Sequence, residues 1–254
     1  MTGSFTLDRR NKLAQLAVAK GNVKVGELAV MFGVTTETIR KDLIHLEKEG
    51  IVIKGHGGAI SSNENRESPY SARLTEYVDA KTKIAQAAVD MIPENGVVFI
   101  DAGSTTESIA RLLTLKKGLT IITNSAFILP LLYGVECSVY SLGGKIRSSS
   151  MAMVGMWAIN AINSISADIA FIGTNGFLKR NGPCTTSYEE AEIKKEMINN
   201  SKTVVVVCDN RKFESDSTIQ FCDWSAVDYV ITDNGASEED IRALQRHTQV
   251  IVAK

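Results

Sequence analysis

No stretch of this 254-residue chain approaches the ~18 consecutive apolar residues that a bilayer-spanning helix requires, so no membrane partner is expected. Cysteine is scarce: Cys137, Cys184, Cys208 and Cys222 are all there are, and no two stand as a CxxC pair. His45, His56 and His247 are the only imidazoles. Neither a zinc site nor a disulfide framework is suggested, and no metal or cofactor is expected. The opening residues, MTGSFTLDRRNK, lack the apolar segment of an export signal, so a reduced, cytoplasmic protein is expected. Internal repeats and low-complexity tracts are missing too.

What is present fits a soluble globular protein. The chain is 44% hydrophobic and 22% charged, near the usual values, and its length suits one small domain followed by one medium α/β domain. The net charge of −1 conceals an asymmetry. Residues 1–60 carry nine Lys and Arg against six Asp and Glu, whereas the remainder carries nineteen against twenty-three. A modest basic excess on a small leading module suits contact with a phosphate backbone, and many solvated surfaces share it.

That module reads as helix, turn, helix and hairpin. Leu13, Leu16 and Ala17 recur at helical spacing in a first helix over Leu7 to Ala19, and a second is expected from Val25 to Phe32. In FGVTTET, Gly33 can adopt a left-handed conformation and Thr35 can cap the following helix. There Ile39, Leu43 and Leu46 face inward, which leaves Glu37, Arg40, Lys41 and Ile44 outside. Residues IVIK form a short strand and GHGG a hairpin turn that returns through Ala59 and Ile60. This arrangement can lay a recognition helix in the major groove. Arg40 and Lys41 would meet bases or phosphates, Thr35, Thr36 and Thr38 would donate to phosphates, and Lys54 and His56 would sit on a wing. A three-helix interaction module with merely solvated charges is the other reading.

Domain boundaries are expected at 1–60 for the reader, 61–76 for a polar, Pro69-containing linker, and 77–254 for the remainder. Beyond the linker, helices and strands alternate. Helices are predicted over Lys81 to Met91, Thr105 to Leu113, Ser125 to Tyr133, Val154 to Asn163, Glu189 to Asn200 and Ser237 to Arg246. Strands are predicted over Val97 to Ile100, Leu119 to Ile122, Ser138 to Leu142, Ile169 to Ile172, Thr203 to Val207, Tyr229 to Thr232 and Val250 to Val252. Short apolar runs between helices indicate strands buried on both faces, hence an α/β fold with a Rossmann-like, mostly parallel sheet. Four of the predicted strand ends carry polar loops. DAGSTT brings Asp101, Gly103, Ser104, Thr105 and Thr106 to a helix start, where exposed amides suit phosphate, although ordinary capping uses the same residues. TNS supplies Thr123 and Asn124; LGGKIR supplies Gly143, Gly144, Lys145 and Arg147; and FIGTNGF supplies Gly173, Thr174 and Asn175. Converging at the carboxyl ends of parallel strands, they describe a crevice for a phosphorylated, polyhydroxylated ligand. Glu190 and Lys194, four apart on one helix, and Asp209 with Lys212 complete the charged candidates.

The stretch TIRKDLIHLEKEGIVIKGHGGA closely resembles the DNA-binding signature of the DeoR family of transcriptional regulators, with Lys41 in place of a second Arg and Thr35 in place of Ser. Lys keeps the charge but not the planar fork, which favours a phosphate contact there. DAGSTT, TNS, LGG with its following Arg, TTSYEEAEIKKEMI, VVCDNRKF and the late ITD are similar to the sugar-phosphate sensor domain of the same family, so the resemblance runs along nearly the whole chain. It implies a winged helix-turn-helix joined to a sensor domain related in fold to ribose-5-phosphate isomerase. It also implies an effector pocket lined by Asp101, Ser104, Thr105, Thr106, Thr123, Asn124, Gly143, Gly144, Lys194, Asp209 and Lys212. Asn175 stands where the family commonly has Asp, and Arg211 where it usually has a small residue. The expected protein is therefore no enzyme. It is a repressor of a carbohydrate operon whose partners are operator DNA, a phosphorylated sugar, and a second copy in a homodimer or homotetramer. The rival reading is an active isomerase-like enzyme with a DNA-binding appendage, using Asp101, Glu190 or Asp209 as general base.

Overall fold

The computed structural model describes residues 6, 9–14, 16–17, 22–48, 52–55, 58–61 and 70–254. They fall into two compact units, Met1–Arg73 and Leu74–Lys254.

In the smaller unit, residues 9–14 and 16–17 are helical, within the first predicted helix. A strand not anticipated from the pattern, β1 (Asn22–Lys24), leads directly into α1 (Val25–Phe32). Gly33 ends α1 in the left-handed region at φ 62°, and α2 (Thr36–Lys48) follows. The hairpin is β2 (Val52–Gly55) and β3 (Gly58–Ser61); β1 adds to β3 to make a three-stranded antiparallel sheet in the order β1-β3-β2. Three residues are too few to display an alternating pattern, so only the pairing partner makes Asn22–Lys24 a strand. Leu13, Ala17, Val23, Val25, Leu28, Ile39, Leu43 and Leu46 form one core. Beside it Asp42, only 2% exposed, accepts from Arg9 Nε at 2.7 Å and Arg10 Nε at 2.9 Å. Two of the nine cations of the basic module are thereby committed to joining its helices. In the segment expected to be a linker, residues 62–69 lie outside the described residues, and Tyr70–Thr75 is helical as α3. Polar composition hid that helix, in which Tyr70 is buried and the Arg73 guanidinium lies 5.4 Å from the centre of its ring.

The larger unit begins with α4 (Val78–Val89), β4 (Val97–Ile100), α5 (Ser104–Leu113), β5 (Thr120–Thr123) and β6 (Ser138–Ser141). A small hairpin of β7 (Lys145–Ile146) and β8 (Met153–Val154) leads to α6 (Met156–Asn163) and β9 (Ala167–Gly173). Then follow β10 (Cys184–Thr185), α7 (Tyr188–Asn199), β11 (Ser201–Val207), α8 (Arg211–Glu214), β12 (Ile219–Gln220), β13 (Tyr229–Asp233), α9 (Glu238–Leu244) and β14 (Gln249–Ala253). Seven strands make a wholly parallel sheet in the order β14-β13-β11-β9-β4-β5-β6. Alternate residues of each strand enter different cores. Phe99, Ile122, Ala170, Ile172, Val204 and Val206 pack with Ala158 and Ile162 of α6 and Ile193 and Met197 of α7. Val98, Ile100, Ile121, Phe171, Val205 and Val207 pack with Ile84 and Ala88 of α4 and Ile109 and Leu113 of α5. Both faces are covered, which explains the unbroken apolar runs.

Two predicted helices are corrected. Between Ser125 and Tyr133 only Leu129–Leu132 is helical, as a 3₁₀ turn containing Pro130. The Ala126 amide donates to the Met151 carbonyl and Ser125 bridges Ala152, so backbone that a helix would use is already paired. Proline shortens what remains. The helix expected from Val154 starts two residues later, because Met153–Val154 pairs with β7 and Gly155 turns the chain at φ 89°.

Removing the Asp42 carboxylate should weaken the smaller unit selectively. Asp42→Ala is expected to cost about 2 kcal/mol, toward the lower end for charge-assisted pairs because both arginines reach solvent. Hydrogen exchange measured by peptide should accelerate across residues 36–48 and leave the parallel sheet unchanged.

Candidate functional site

The outer face of α2 carries the first group of candidates. Thr35 caps the helix, its Oγ1 accepting the Thr38 N–H at 3.2 Å, and the two hydroxyls lie 2.9 Å apart. Their hydroxyls therefore serve the helix start first; the Thr36 hydroxyl has no partner among the described residues. Ile39, Asp42, Leu43 and Leu46 are buried, whereas Glu37, Arg40, Lys41 and Ile44 are exposed. Arg40 comes no nearer than 3.7 Å to Glu37, with both side chains more than half exposed, so the pair hardly restrains it. Lys54 lies on β2 and His56 lies outside the described residues.

In the larger unit the strand order dictates where a crevice forms. From β4 the chain adds β5 and β6 on one side, then returns to place β9 on the other side of β4 and continues outward with β11, β13 and β14. The connections that leave β4 and β9 thus diverge, and at such a switch point open parallel sheets accommodate ligands beyond the strand carboxyl ends. Asp101 follows β4 directly and Gly173 ends β9. Asp101 Oδ2 accepts from Lys194 Nζ and from the Gly173 N–H at 3.0 Å. Lys194 also donates to the Gly173 carbonyl at 3.0 Å and lies 5.6 Å from the centre of the Phe221 ring. Burial pushes the Asp101 carboxyl above its ordinary value, against the pull of Lys194 and the Gly173 amide.

With that carboxylate held, the loop enters α5 through Gly103, whose extended backbone at φ −177° occupies the cap position with no side-chain cap. The Thr106 hydroxyl turns inward to the Asp101 and Gly103 carbonyls at 2.6 and 2.9 Å. The first intrahelical bond is donated by Glu107 to Gly103 O at 2.9 Å, so the Ser104, Thr105 and Thr106 amides precede it and make an anion-attracting helix start. Neither Ser104 nor Thr105 caps the helix, which removes the ordinary explanation for both. On the adjoining strand, Thr123 Oγ1 accepts the Ser125 N–H at 3.0 Å. Asn124 is fully buried, yet among the described residues neither its amide oxygen nor its amide nitrogen has a partner. An unpaired buried amide costs about 1–3 kcal/mol.

Beside these lies a second polar group. Glu190 receives Arg147 and the Ser150 hydroxyl on one oxygen and the Thr185 hydroxyl, at 3.2 Å, on the other. Thr185 is also 3.1 Å from the Asn175 amide oxygen. Burial opposes ionisation of Glu190, but Lys194, Ser150 and Arg147 outweigh it and hold the carboxyl below its ordinary value. Gly143 and Gly144 turn the chain at φ 69° and 101° ahead of Arg147. Lys145 is not brought in; it pairs with Glu189 at 2.9 Å on the exposed side.

After β11, Asp209 is gripped by Arg211 through Nε at 2.9 Å and Nη2 at 3.1 Å. Arg211 also reaches Glu76 at 2.8 Å and stacks 3.6 Å from the centre of the Tyr77 ring. Burial resists the Asp209 charge, but Arg211, Lys212 and Lys81 lower its pKa. The Lys212 amide donates to the Asp209 carbonyl at 3.0 Å. Sequence reading missed Ser150, Thr185 and Lys81. Lys81 is 2% exposed, donates to the Glu76 carbonyl at 2.8 Å, and burial takes its ammonium down to about 8. A signal existed: Lys81 precedes Ile84, Ala85 and Ala88 at the spacing of one buried helix face.

Two family models match this chain. The one described as the DeoR-like helix-turn-helix domain covers residues 9–65, and the one described as the DeoR C terminal sensor domain covers residues 76–234. A GlpR regulator of Haloferax volcanii is 31% identical over 92% of this chain and 92% of its own. The glycerol-3-phosphate regulon repressor of Escherichia coli K12 is 29% identical over 89% and 90%, and the lactose phosphotransferase system repressor of Staphylococcus epidermidis is 28% identical over 96% and 98%. Among solved structures, ribose 5-phosphate isomerase A of Methanocaldococcus jannaschii aligns at 19% identity over 53% of this chain and 54% of that one, with a TM-score of 0.39.

The depressed Lys81 ammonium makes a pH signature. Between about 8 and the ordinary 10.5, the unfolded chain holds a proton that the folded chain has released, so stability should rise with pH through that window. Chemical denaturation of the wild type and Lys81→Met across this range checks the sign: the wild type should gain relative to the variant as pH increases.

Proposed function

The chain belongs to the DeoR family of transcriptional regulators, and on that premise we propose that it represses a carbohydrate uptake or catabolism operon, with a phosphorylated sugar controlling its affinity for operator DNA. The effector half of this reading rests on Asn124, a fully buried amide without a partner among the described residues, beside the uncapped start of α5 at the switch point. Together they offer donors to a phosphate and both donor and acceptor to a sugar hydroxyl. The relatives named for glycerol-3-phosphate and for lactose phosphotransfer support a carbohydrate role.

The reader half rests on α2. Arg40 can address guanine through its fork, while Lys41 and the helix start address phosphates. One recognition helix of this length spans few base pairs, so the protein acts on paired half-sites as a dimer or tetramer. Among the described residues no helix is long and apolar enough to cross a membrane, in keeping with a cytoplasmic regulator.

The isomerase reading is the weaker one. A general base must be able to accept a proton from the substrate, and the three available carboxylates are each engaged by a cation: Asp101 by Lys194, Glu190 by Arg147 and Asp209 by Arg211. We infer binding without turnover.

Arg40→Ala should weaken specific operator binding by ~1–3 kcal/mol and leave the melting temperature nearly unchanged; gel-shift titration with unaltered affinity would remove Arg40 from the recognition surface. Thermal-shift screening against glycerol, triose, pentose and hexose phosphates should find one that raises stability by mass action. The same compound should weaken operator binding by ~1–3 kcal/mol, with reciprocal weakening of its own affinity by operator. Ser104→Trp, which fills the start of α5, should still bind operator and lose the response. A panel in which no phosphate stabilises the protein would overturn the effector reading.

A further inference from the structure

Five large apolar side chains stand in solvent around one corner of the larger unit. Tyr140, Ile146, Met156, Trp157 and Tyr188 are 57, 50, 65, 79 and 67% exposed. They come from separate elements that the fold draws together. Tyr140 lies opposite Ile122 on the edge strand β6, and Ile122 shares a core with Ala158 and Ile162 of α6. The first turn of α6 is seated on the β6–β7 connection: a Cβ at Gly144 would lie 2.6 Å from the Val154 carbonyl oxygen and 3.6 Å from the Ala158 nitrogen. Met156 and Trp157 open that turn, and Ile146 pairs with Met153 immediately before it. Tyr188 opens α7 next to Glu189, which holds Lys145, the neighbour of Ile146.

We propose that this corner is the self-association surface and that a second copy of the chain covers it. The inference rests on the paired half-site reading, which calls for a second recognition helix that one chain lacks. Composition and area favour a protein partner. Trp, Tyr and Met are the side chains enriched at the centre of interfaces, and charged groups are pushed to the rim, where the Lys145–Glu189 pair stands. Aromatic side chains offer about 150–250 Å² each. Three of them, more than half exposed, with Met156 and Ile146 alongside, bring the patch close to the ~800 Å² per partner of a standard interface. A two-fold axis through it would set the apolar centre against that of its copy and carry the two Lys145–Glu189 pairs to opposite rims, as an isologous contact does. The corner also adjoins the crevice, since the residue after Ile146 is Arg147, which binds Glu190. Association and effector occupancy thus act on one hairpin.

The test uses the full-length protein without ligand. Trp157 and Trp224 are its two tryptophans, one 79% and the other 4% exposed, so a shift of emission on dilution reports Trp157. Light scattering should find the wild type self-associated, with emission moving to the red and acrylamide quenching increasing as it dissociates. Trp157→Glu should weaken association by about tenfold or more while circular dichroism and Trp224 emission remain native, and Met156→Lys should act in the same direction. Dimers of both variants as tight as the wild type would overturn this surface and leave the regulator reading standing. A wild type that is monomeric both free and on operator DNA would overturn the surface together with the paired half-site premise.

Discussion

The pair of Asp101 and Lys194 is the contact on which the candidate site depends. Two opposite charges are taken almost wholly out of water at the point where the strand order of the parallel sheet reverses. Such burial is tolerated only when further hydrogen bonds support the pair, and here the Gly173 amide donates to Asp101 while the Gly173 carbonyl accepts from Lys194. The ends of β4 and β9 and the middle of α7 are joined by this one arrangement. Because the Asp101 loop is held from behind, it need not be capped from in front, and the start of α5 keeps its amides for something else. Lys194 is then an anchor of the crevice, with its charge already matched.

The smaller unit applies a similar device to a different end. Asp42 points inward from the helix whose other face is exposed, and two arginines from the helical residues 9–14 close on it. Directional bonds thus tie the N-terminal helical residues to α2 in addition to the Leu and Ile contacts. Part of the basic excess that suggests DNA binding is consumed in this way. Among the described residues Arg40 and Lys41 have no comparable tether on the outer face.

Periodicity was legible wherever burial is periodic. The α5, α7 and α2 helices and the strands Val97–Ile100 and Tyr229–Asp233 lie where the apolar spacing puts them, since each has one stripe or two faces against a core. The polar strand ends were equally visible, because hydroxyl, glycine and amide residues cannot continue a buried strand. The reading failed where one segment's conformation depends on a distant one. Asn22–Lys24 and Lys145–Ile146 are strands only by virtue of their partners, and the Ser125 segment gave up a helix because the Ala126 amide donates to the Met151 carbonyl and Ser125 bridges Ala152. Lys81 entered the sequence reading only as the start of a helix, and the structure buries it.

Residue order alone determined the two-part organisation, the outward set Glu37, Arg40, Lys41 and Ile44, and the alternation that makes a parallel sheet with polar carboxyl ends, all through local spacing and side-chain chemistry. It also carried the family signature, from Thr38 to Ala59 and again from Asp101 onward. Tertiary structure decided which of those polar residues meet. Asp101 and Lys194 are 93 positions apart and Arg147 and Glu190 are 43 apart; no local pattern encodes either pair. The crossing of the chain from β6 back to β9 creates both encounters, since only the strand order brings the ends of β4 and β9 side by side and stations α7 above them.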